Sequence, residues 1–311
     1  MEIHLSTPGL IYFDGKLIPS ADARLHVSSV AVKYGSNVFE GLCTYRGVSG
    51  GSTVFRMHEH LQRLQESARM MQIDCDYSQD ELADAVLSTV RGNNIEGDSH
   101  IRLSIFVVGD GFSETTGPAS LVCIATPRGA KNLEERVKHA SVSSWLRLDD
   151  RVAPPRIKAG ANYHNSRFGV LEARRNGYDE ALFLTFNGKV SEGGNSCFFM
   201  VKDGVLVTPP VTASILISIT RQTLIELARD QGIEVQEREI DRSELYIADE
   251  AFLCGSGLEI SPILSVDRFP VGDRSVGPVT HRLWDAYDSV IRGGDARYQR
   301  WLTPVYGQGQ A

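Results

Sequence analysis

The chain has 311 residues, of which 42% are hydrophobic and 23% are charged. This is the composition of a folded globular protein, and the length is sufficient for two ordinary domains. The formal net charge is −7, and no basic stripe with interleaved aromatic residues occurs, which argues against a nucleic-acid-binding protein.

Secretion and membrane insertion are not expected from this sequence. Residues 1–6 contain neither a basic segment nor an apolar run, so they predict no signal peptide. The uncharged stretch Val205–Thr220 contains Pro209 and Pro210 and is too short to span a bilayer. The five cysteines are scattered and make no C-x-x-C motif, which predicts reduced thiols in a cytoplasmic protein.

The first half of the chain predicts an α+β domain with a mixed sheet, because strands are followed by two helices and then by further strands. An Asp14-Gly15 turn joins two strands within 11–18. Ser78 and Glu81 form a capping box at the start of the second long helix. The other predicted elements are a short helix at 28–34, strands at 37–45 and 53–55, a helix at 59–71, and strands at 101–108 and 121–125.

The second half predicts an α/β domain. Its helices at 165–176 and 220–230 end near Gly177 and Gly232, and a nearby glycine is typical of a helix C-terminus; a third helix covers 279–291. The predicted strands are at 138–144, 181–186, 198–202, 205–208, 234–239, 251–254 and 263–267. The predicted division is an N-terminal domain at 1–128, a linker at 129–135, a C-terminal domain at 136–295 that carries Lys158, and a loosely held tail at 296–311.

Lys158 is the first candidate for chemistry. It follows Pro154 and Pro155, which stiffen its approach, and it stands between Ile157 and Ala159 rather than between charges. Apolar neighbours favour partial burial, and partial burial favours the neutral amine that attacks a carbonyl. Most lysines are ordinary surface residues. A lysine of this kind, however, suits a Schiff base, and its commonest cofactor is pyridoxal 5′-phosphate.

Pyridoxal phosphate also needs an anion beside its pyridine nitrogen, so that the protonated ring accepts carbanion electrons. Glu192 is the best candidate, because it follows a tight hairpin and precedes Gly193 and Gly194, which permit close backbone approach. A surface glutamate in a hairpin is the plainer interpretation.

The phosphate needs backbone donors and a cation. The helix that opens at Ser218-Ile219-Thr220-Arg221 offers free N–H groups and a hydroxyl. Gly255-Ser256-Gly257 follows a strand with a buried pattern and is a candidate for a second nest of donors. Arg63, on the helix at 59–71, is the candidate cation.

Six motifs together resemble the class IV (fold type IV) pyridoxal-phosphate aminotransferases, and the branched-chain aminotransferases most closely. They are Tyr34-Gly35-x-x-Val38-Phe39-Glu40-Gly41, His60-x-x-Arg63-Leu64, Lys158-Ala159-Gly160-x-Asn162-Tyr163, Ser191-Glu192-Gly193, Ile219-Thr220-Arg221 and Glu259-Ile260-x-Pro262. The resemblance runs from about Ile11 to Asp285. It implies an α/β (α+β) fold of two domains, with the cofactor in the cleft between them, and an assembly of at least two chains.

The resemblance also implies a role for each site residue. Lys158 forms the Schiff base and moves a proton between Cα and C4′, Tyr163 bonds the phenolic oxygen, and Glu192 pairs with the pyridinium nitrogen. The residues implied in phosphate binding are Arg63, Ile219, Thr220 and Ser256. The residues implied on the substrate side are Tyr34, Phe39, His100, Arg102, Phe112 and Gly257, with Phe39 and Tyr34 as apolar walls and Arg102 at a distal carboxylate.

Several residues depart from the branched-chain pattern, all on the substrate side. Cys43 stands where an arginine is usual, His100 where a tyrosine is common, and Cys197 where an asparagine is common; the loop 109–117 also differs. The first hypothesis is therefore transfer between a branched-chain or other apolar L-amino acid and 2-oxoglutarate. An (R)-amine or D-amino-acid transaminase is the second, and an aminodeoxychorismate-type lyase is a third.

Other classes of function find less support. A non-enzymatic binding module would be indicated by the loss of Lys158 or Glu192, and both are present. No metal site is expected, because His58 and His60 lie on different faces of a helix and no third ligand is near in the sequence. Neither a Gly-x-Ser-x-Gly elbow nor a Gly-x-Gly-x-x-Gly loop occurs.

Overall fold

The computed structural model describes residues 9–306, so the predictions for residues 1–6 and for 307–311 of the tail lie outside the described residues. The first eight strands are β1 (Leu10–Phe13), β2 (Lys16–Pro19), β3 (Asn37–Arg46), β4 (Ser52–Phe55), β5 (Ser99–Val107), β6 (Ala119–Pro127), β7 (Lys138–Leu146) and β8 (Glu180–Leu184). The later strands are β9 (Val190–Gly193), β10 (Cys197–Lys202), β11 (Val205–Thr208), β12 (Val235–Glu237), β13 (Glu250–Gly255), β14 (Glu259–Val266), β15 (Phe269–Pro270) and β16 (Leu302–Pro304). The α-helices are α1 (Val30–Tyr34), α2 (Met57–Met70), α3 (Gln79–Gly92), α4 (Tyr163–Arg175), α5 (Ile219–Asp230) and α6 (Pro278–Ile291).

The described residues divide into two compact units. The first comprises residues 9–130, 157–161 and 289–306, and the second comprises 131–156 and 162–288. Lys158, which the predicted division gave to the C-terminal domain, groups with the first unit. The reason is local backbone pairing: Ala159 forms an antiparallel bridge with Val38, and the N–H of Phe39 donates to the carbonyl of Lys158 at 3.0 Å.

The first unit is built on a seven-stranded antiparallel sheet in the order β16-β4-β3-β5-β6-β1-β2. Helices α2 and α3 pack on one face of this sheet. Alternate residues of the strands supply the buried surface, so that Leu42 on β3 and Leu103 on β5 are fully buried against Leu64 of α2. The opposite face carries the other set of alternate residues, including Phe39.

Local signals in the sequence account for several boundaries in this unit. Asp14 and Gly15 both have positive φ angles, 46° and 84°, which is the backbone of the predicted two-residue hairpin turn. The side chain of Ser78 accepts from the N–H of Glu81, and the Glu81 carboxylate accepts from the N–H of Ser78. The predicted capping box is therefore confirmed, and α3 begins at the next residue.

The prediction of a loosely held tail is wrong for residues 296–306. Residues 296–301 form a 3₁₀-helix, and β16 then pairs with β4 at the edge of the sheet. The side chain of Trp301 is buried, with its ring centroid 5.9 Å from that of Phe55 and 4.5 Å from that of Tyr298. Aromatic burial holds this segment, and three strand residues are too few to show a period in the sequence.

The second unit is built on a mixed sheet in the order β12-β11-β10-β13-β14-β7-β8-β9, with β15 paired to β14. Pairs β14–β7, β7–β8 and β11–β12 are parallel, and the others are antiparallel. The predicted Asp203-Gly204 turn joins β10 to β11, and both residues have positive φ angles, 51° and 80°. Helix α4 packs on β7 and β8, and α5 packs on β13 and β12.

A 3₁₀-helix, Leu133–Arg136, begins within the region predicted as a linker (129–135) and ends one residue beyond it, and its Leu133 is buried. Among residues 9–306, every helix is too short or too polar to be a candidate membrane span.

Candidate active site

Lys158 is held in the first unit through its own backbone. Its N–H donates to the Oγ atom of Ser67 at 3.2 Å, and its carbonyl accepts from Phe39. Ile157 and Ala159 are buried on either side, and Lys158 itself is half-buried. The partial burial expected from its apolar neighbours is therefore confirmed. Its Nζ atom lies 4.9 Å from the ring centroid of Phe39, on the sheet face away from the helices.

A buried ion pair stands on the helix side of β3. Glu40 is fully buried and accepts two bonds from Arg63, at 2.6 Å from Nε and 2.8 Å from Nη2. His60 Nδ1 lies 2.7 Å from the same carboxylate. Burial alone would raise the pKa of Glu40, but the adjacent guanidinium and imidazole outweigh it and hold the pKa well below its usual range. Burial also lowers the pKa of His60, against the opposing effect of Glu40.

The bonds to Glu40 limit how Arg63, the cation predicted to bind phosphate, can contact an anion. Arg63 uses Nε and Nη2 for Glu40, and its side chain is 12% exposed. Any anion that it binds must therefore be met by the other edge of the guanidinium. Sequence reasoning missed Glu40 and His60 as partners of this arginine.

Three predicted residues meet on the other face of β3. The guanidinium carbon of Arg102 lies 3.6 Å from the ring centroid of Phe39, and Lys158 Nζ lies 4.9 Å from the same centroid. His100 lies two positions along β5 from Arg102, opposite Cys43 of β3. Burial and the charges of neighbouring basic side chains lower the pKa of His100 to about 4, so its imidazole is neutral at physiological pH.

Two other predicted substrate residues are exposed instead. Tyr34 ends α1 with 48% of its surface accessible, and Lys33 Nζ lies 5.8 Å from its ring centroid. Phe112, in the loop that departs from the branched-chain pattern, is 73% exposed. Cys43, where the family usually has an arginine, is buried.

In the second unit, Glu192 is a buried carboxylate on β9 with a defined set of partners. Arg147 Nη2 lies 2.7 Å from Oε1, and the N–H of Leu216 donates to the same carboxylate at 3.3 to 3.4 Å. The thiol of Cys197 lies 3.7 Å from Oε2 and 3.5 Å from the Leu216 carbonyl. A buried guanidinium stabilises the charged carboxylate, which is the form that a pyridinium nitrogen requires. Arg147 was missed, because it follows β7 in a stretch with no motif.

The N-terminus of α5 offers donors for an anion. Ser218 is its N-cap and accepts from the N–H of Arg221 at 3.2 Å. The N–H groups of Ile219 and Thr220 have no acceptor within residues 9–306, and both side chains are buried. Arg221, by contrast, is buried and bonds the carbonyl of Pro209, which gives it a structural role. Helix N-termini of this kind bind phosphate groups.

Ser256 and Gly257 lie in the turn between β13 and β14. Ser256 is half-buried and Gly257 is exposed. At the start of β14, Glu259 has a positive φ of 60° and is buried against Arg136, with Nη2 2.5 Å from its carboxylate. This ion pair fixes the end of the turn that presents the serine.

Tyr163 is the first residue of α4 and is half-buried. The side chain of Asn162, just before it, donates to the carbonyl of Pro154 at 3.0 Å. This bond ties the start of the helix to the loop that precedes Lys158 in the sequence. Within residues 9–306 there is no group of three or more potential metal ligands.

Each unit, taken by itself, supplies groups of the kind that pyridoxal 5′-phosphate needs. A half-buried primary amine is present at Lys158, and a buried carboxylate with its own guanidinium is present at Glu192. The first turn of α5 supplies N–H groups for a phosphate. A primary amine, an ion-paired carboxylate and backbone N–H groups at a helix N-terminus are the kinds of group that the aldehyde, the ring nitrogen and the phosphate of this cofactor require.

Comparison with known proteins agrees with this chemistry. Residues 37–266 match the family Amino-transferase class IV. A branched-chain-amino-acid aminotransferase of Escherichia coli K12 is 42% identical over 302 residues, covering 95% of this chain and 97% of the relative.

Solved structures agree as well. The branched-chain amino acid aminotransferase of Thermobaculum terrenum in its PLP form superposes with a TM-score of 0.91 at 41% identity, covering 97% of this chain and 100% of that one. The branched-chain aminotransferase of Thermoproteus uzoniensis with norvaline also gives 0.91, at 38% identity, covering 96% and 100%. The chain therefore belongs to the class IV aminotransferases and is a transaminase that depends on pyridoxal phosphate.

Proposed function

We propose that this transaminase moves an amino group between a branched-chain or other apolar L-amino acid and 2-oxoglutarate. It does so in two half-reactions, from donor to cofactor and then from cofactor to acceptor. The arrangement around Phe39 supports this proposal most directly. Its buried ring offers an apolar wall, with the reacting amine of Lys158 4.9 Å away and the guanidinium of Arg102 3.6 Å away.

The cofactor is proposed to be held by its three chemical groups. When bound, it supplies an electron sink for the negative charge left when a substrate Cα loses its proton. Glu192, which forms an ion pair with Arg147, is proposed to pair with the ring nitrogen, and Tyr163 to donate to the phenolic oxygen. The proposed phosphate ligands are Arg63, Ile219, Thr220 and Ser256.

Lys158 is proposed to carry the proton in each half-reaction. Its backbone is fixed at both the N–H and the carbonyl, so the motion of its amine is confined to the side chain. A primary amine at this position takes the proton from Cα and later returns it, which is general acid–base catalysis by one group.

The substrate side is proposed to combine an apolar pocket with one cation. Phe39 and Tyr34 contact the apolar side chain, and Arg102 meets the distal carboxylate of 2-oxoglutarate. His100, being neutral, offers a hydrogen bond rather than a charge. Gly257 contributes its N–H to the α-carboxylate. An apolar pocket separates substrates by only about 1–3 kcal/mol per methylene, so related apolar amino acids should also react.

A half-reaction screen tests this proposal. The purified holoenzyme is mixed separately with L-leucine, L-glutamate, D-alanine and (R)-1-phenylethylamine, and the visible absorption of the bound cofactor is followed. Loss of the band with leucine and glutamate is the expected result. The absence of any cofactor band in the purified protein would contradict the roles assigned to Lys158 and Glu192.

The second candidate is an (R)-amine or D-amino-acid transaminase. It is favoured by the substrate face itself, where Cys43 is buried opposite His100 and supplies no charge for a carboxylate. Loss of the band with only D-alanine or the amine would establish this function. The roles of the cofactor-binding residues would then stand unchanged.

We also propose that the chain assembles as a homodimer or a higher homo-oligomer. Trp145 and Phe168 stack at 5.0 Å and are each about half exposed, and Leu146 and Leu171 are exposed beside them in the sequence. Large exposed apolar groups on one helix and one strand end mark a protein interface. Light scattering of the purified protein should give at least twice 34.2 kDa. A Phe168→Asp variant should shift that mass toward the monomer.

The proposed compartment is the cytoplasm. All five cysteines are free thiols, although Cys197 and Cys254 occupy paired positions on neighbouring strands. Free thiols are usual in a reducing compartment, which supports this location. Cell fractionation with an antibody against the chain would test it.

A further inference from the structure

One face of the first unit's sheet carries a row of basic side chains, here named the cationic face: Arg102, His100 and Arg128, together with the adjacent Lys158. It is formed by alternate residues of the neighbouring strands β3, β5 and β6. Gly41 lies opposite Arg102 on this face, and Cys43 lies opposite His100. Successive positions of such a row are roughly 7 Å apart along the strands.

Arg128 extends the row by one further position. It follows β6, and its N–H donates to the carbonyl of Asp98 at 2.9 Å, just before β5 begins. Its guanidinium carbon lies 5.3 Å from the ring centroid of Tyr45, which is fully buried on the same side of β3 as Phe39. The side chain of Arg128 is half-buried. The row therefore begins beside the reacting amine of Lys158 and ends at Arg128.

The charge of this face is one-sided. The face-forming positions of β3, β5 and β6 contain no acidic residue. The carboxylate of Asp98, at the end of the row, is held by Arg292 at 3.0 Å and by the N–H of Arg46 at 2.9 Å. Two guanidinium groups on one sheet face favour an anionic ligand.

His100 lies between the two guanidinium groups in the row, and their charges affect its protonation. Its Nε2 would lie 3.1 Å from a Cβ atom at position 41, so the imidazole rests over Gly41 and occupies the space that a side chain there would take. Burial, followed by the charge of Arg128 and then that of Arg102, lowers its pKa to about 4. A neutral imidazole adds no positive charge and can donate a hydrogen bond to a carboxylate between its neighbours.

We propose that Arg128 is a specificity residue for substrates whose side chain ends in a carboxylate and is longer than that of glutamate. The amino group of such a substrate lies at Lys158, its side chain follows the row past Arg102, and its terminal carboxylate meets Arg128 and His100. This inference rests on the proposed transaminase function and extends its substrate class. The enzyme then accepts long dicarboxylic amino acids and 2-oxo acids in addition to apolar ones.

Calorimetric titration of the holoenzyme tests this directly, with carboxylic acids that have no amino or keto group and cannot react. The probes are glutarate, adipate and pimelate, with hexanoate as the monocarboxylate reference. The parent should bind pimelate more tightly than hexanoate. Arg128→Met should weaken pimelate binding about tenfold or more, as expected for one charge-assisted contact, and leave hexanoate unchanged.

Two further variants control the measurement. Arg46→Met removes an exposed arginine at the end of β3, next to Tyr45 but on the opposite face, and should bind all four acids as the parent does. Arg128→Gln keeps a polar side chain over Tyr45, and it should show the same selective loss as Arg128→Met if the latter folds poorly.

The proposal is overturned if pimelate and hexanoate bind the parent equally, or if the Arg128 variants keep the parent's affinity for pimelate. An equal loss for both acids would also overturn it, since that result would give Arg128 only a structural role over Tyr45. None of these titrations requires turnover. Failure of the transaminase reaction in the half-reaction screen is therefore a separate result.

Discussion

The buried ion pair between Glu40 and Arg63 gives the most quantitative prediction. Replacing Arg63 by methionine removes two bonds, of 2.6 and 2.8 Å, from a carboxylate with no exposed surface. Breaking a buried pair by removing one partner costs about 3–5 kcal/mol of unfolding free energy, because the other charge stays buried. Glu40→Gln should cost less, about 1–3 kcal/mol, since the remaining guanidinium is partly exposed and can be hydrated.

The pH dependence of these costs follows from the direction of the pKa shift. The folded-state pKa of Glu40 lies below its unfolded value. The group therefore contributes stability that is present above the unfolded pKa and is lost as the pH falls through the folded pKa. Without Arg63, burial should raise the pKa of Glu40 instead. The buried charged carboxylate then lowers the free energy of unfolding most at high pH, where it is ionised. Protonation of His60 at low pH should also reduce the destabilisation of the Arg63 variant, because it places a cation beside Glu40 again.

Urea unfolding of the cofactor-free protein at pH 8 and pH 5, followed by far-UV circular dichroism, measures this difference. The destabilisation by Arg63→Met should be larger at pH 8 than at pH 5, and that by Glu40→Gln should change little. The double variant should lose less free energy of unfolding than the sum of the losses in the two single variants. Equal destabilisation by Arg63→Met at both pH values, or strict additivity, would refute the reasoning.

Four further predictions concern the candidate site and the chain end. Lys158→Ala should retain cofactor measured by its absorbance but show no transamination; near-normal turnover would exclude it as the reacting amine. Glu192→Gln should bind the cofactor and lose most of its rate in stopped-flow half-reactions, because the ring nitrogen loses its anion; a parental rate would remove it as the pyridine partner. Arg147→Met leaves the buried Glu192 without its guanidinium and should cost about 3–5 kcal/mol in urea unfolding, against which an Arg151→Met variant, at an exposed side chain, serves as control. Trp301→Ala should destabilise the first unit by about 3–5 kcal/mol, and thermal unfolding unchanged from the parent would mean that the terminal segment contributes no stability.

Features that depend on neighbouring residues were predictable from the sequence. The turn at Asp14-Gly15 and the capping box at Ser78 use chemistry that is complete within four residues, and both are present as expected. The partial burial of Lys158 was likewise readable from its apolar neighbours. In each case the residues that cause the structural feature are the same few neighbouring residues from which it was predicted.

Features that depend on distant pairing were not predictable in this way. Glu40 lies between Val38 and Leu42 on the same, core-facing side of β3, so the strand pattern indicates a buried carboxylate. Its partners, however, lie on another element. Arg147 finds Glu192 across 45 positions of chain, with no motif around it. A charged residue on the apolar side of a strand therefore indicates that it has a partner of opposite charge. The identity of that partner depends on the three-dimensional fold.

The two ends of the seven-stranded sheet limit how copies of this chain can associate. Among residues 9–306, its outer strands are β2, with four residues, and β16, with three, and each ends in a proline. A proline cannot donate to a further strand, and a short outer strand offers few backbone groups to a neighbour. Growth of this sheet from one molecule into the next is therefore disfavoured. Any contact between copies at these edges would therefore rely on side chains rather than on backbone hydrogen bonds.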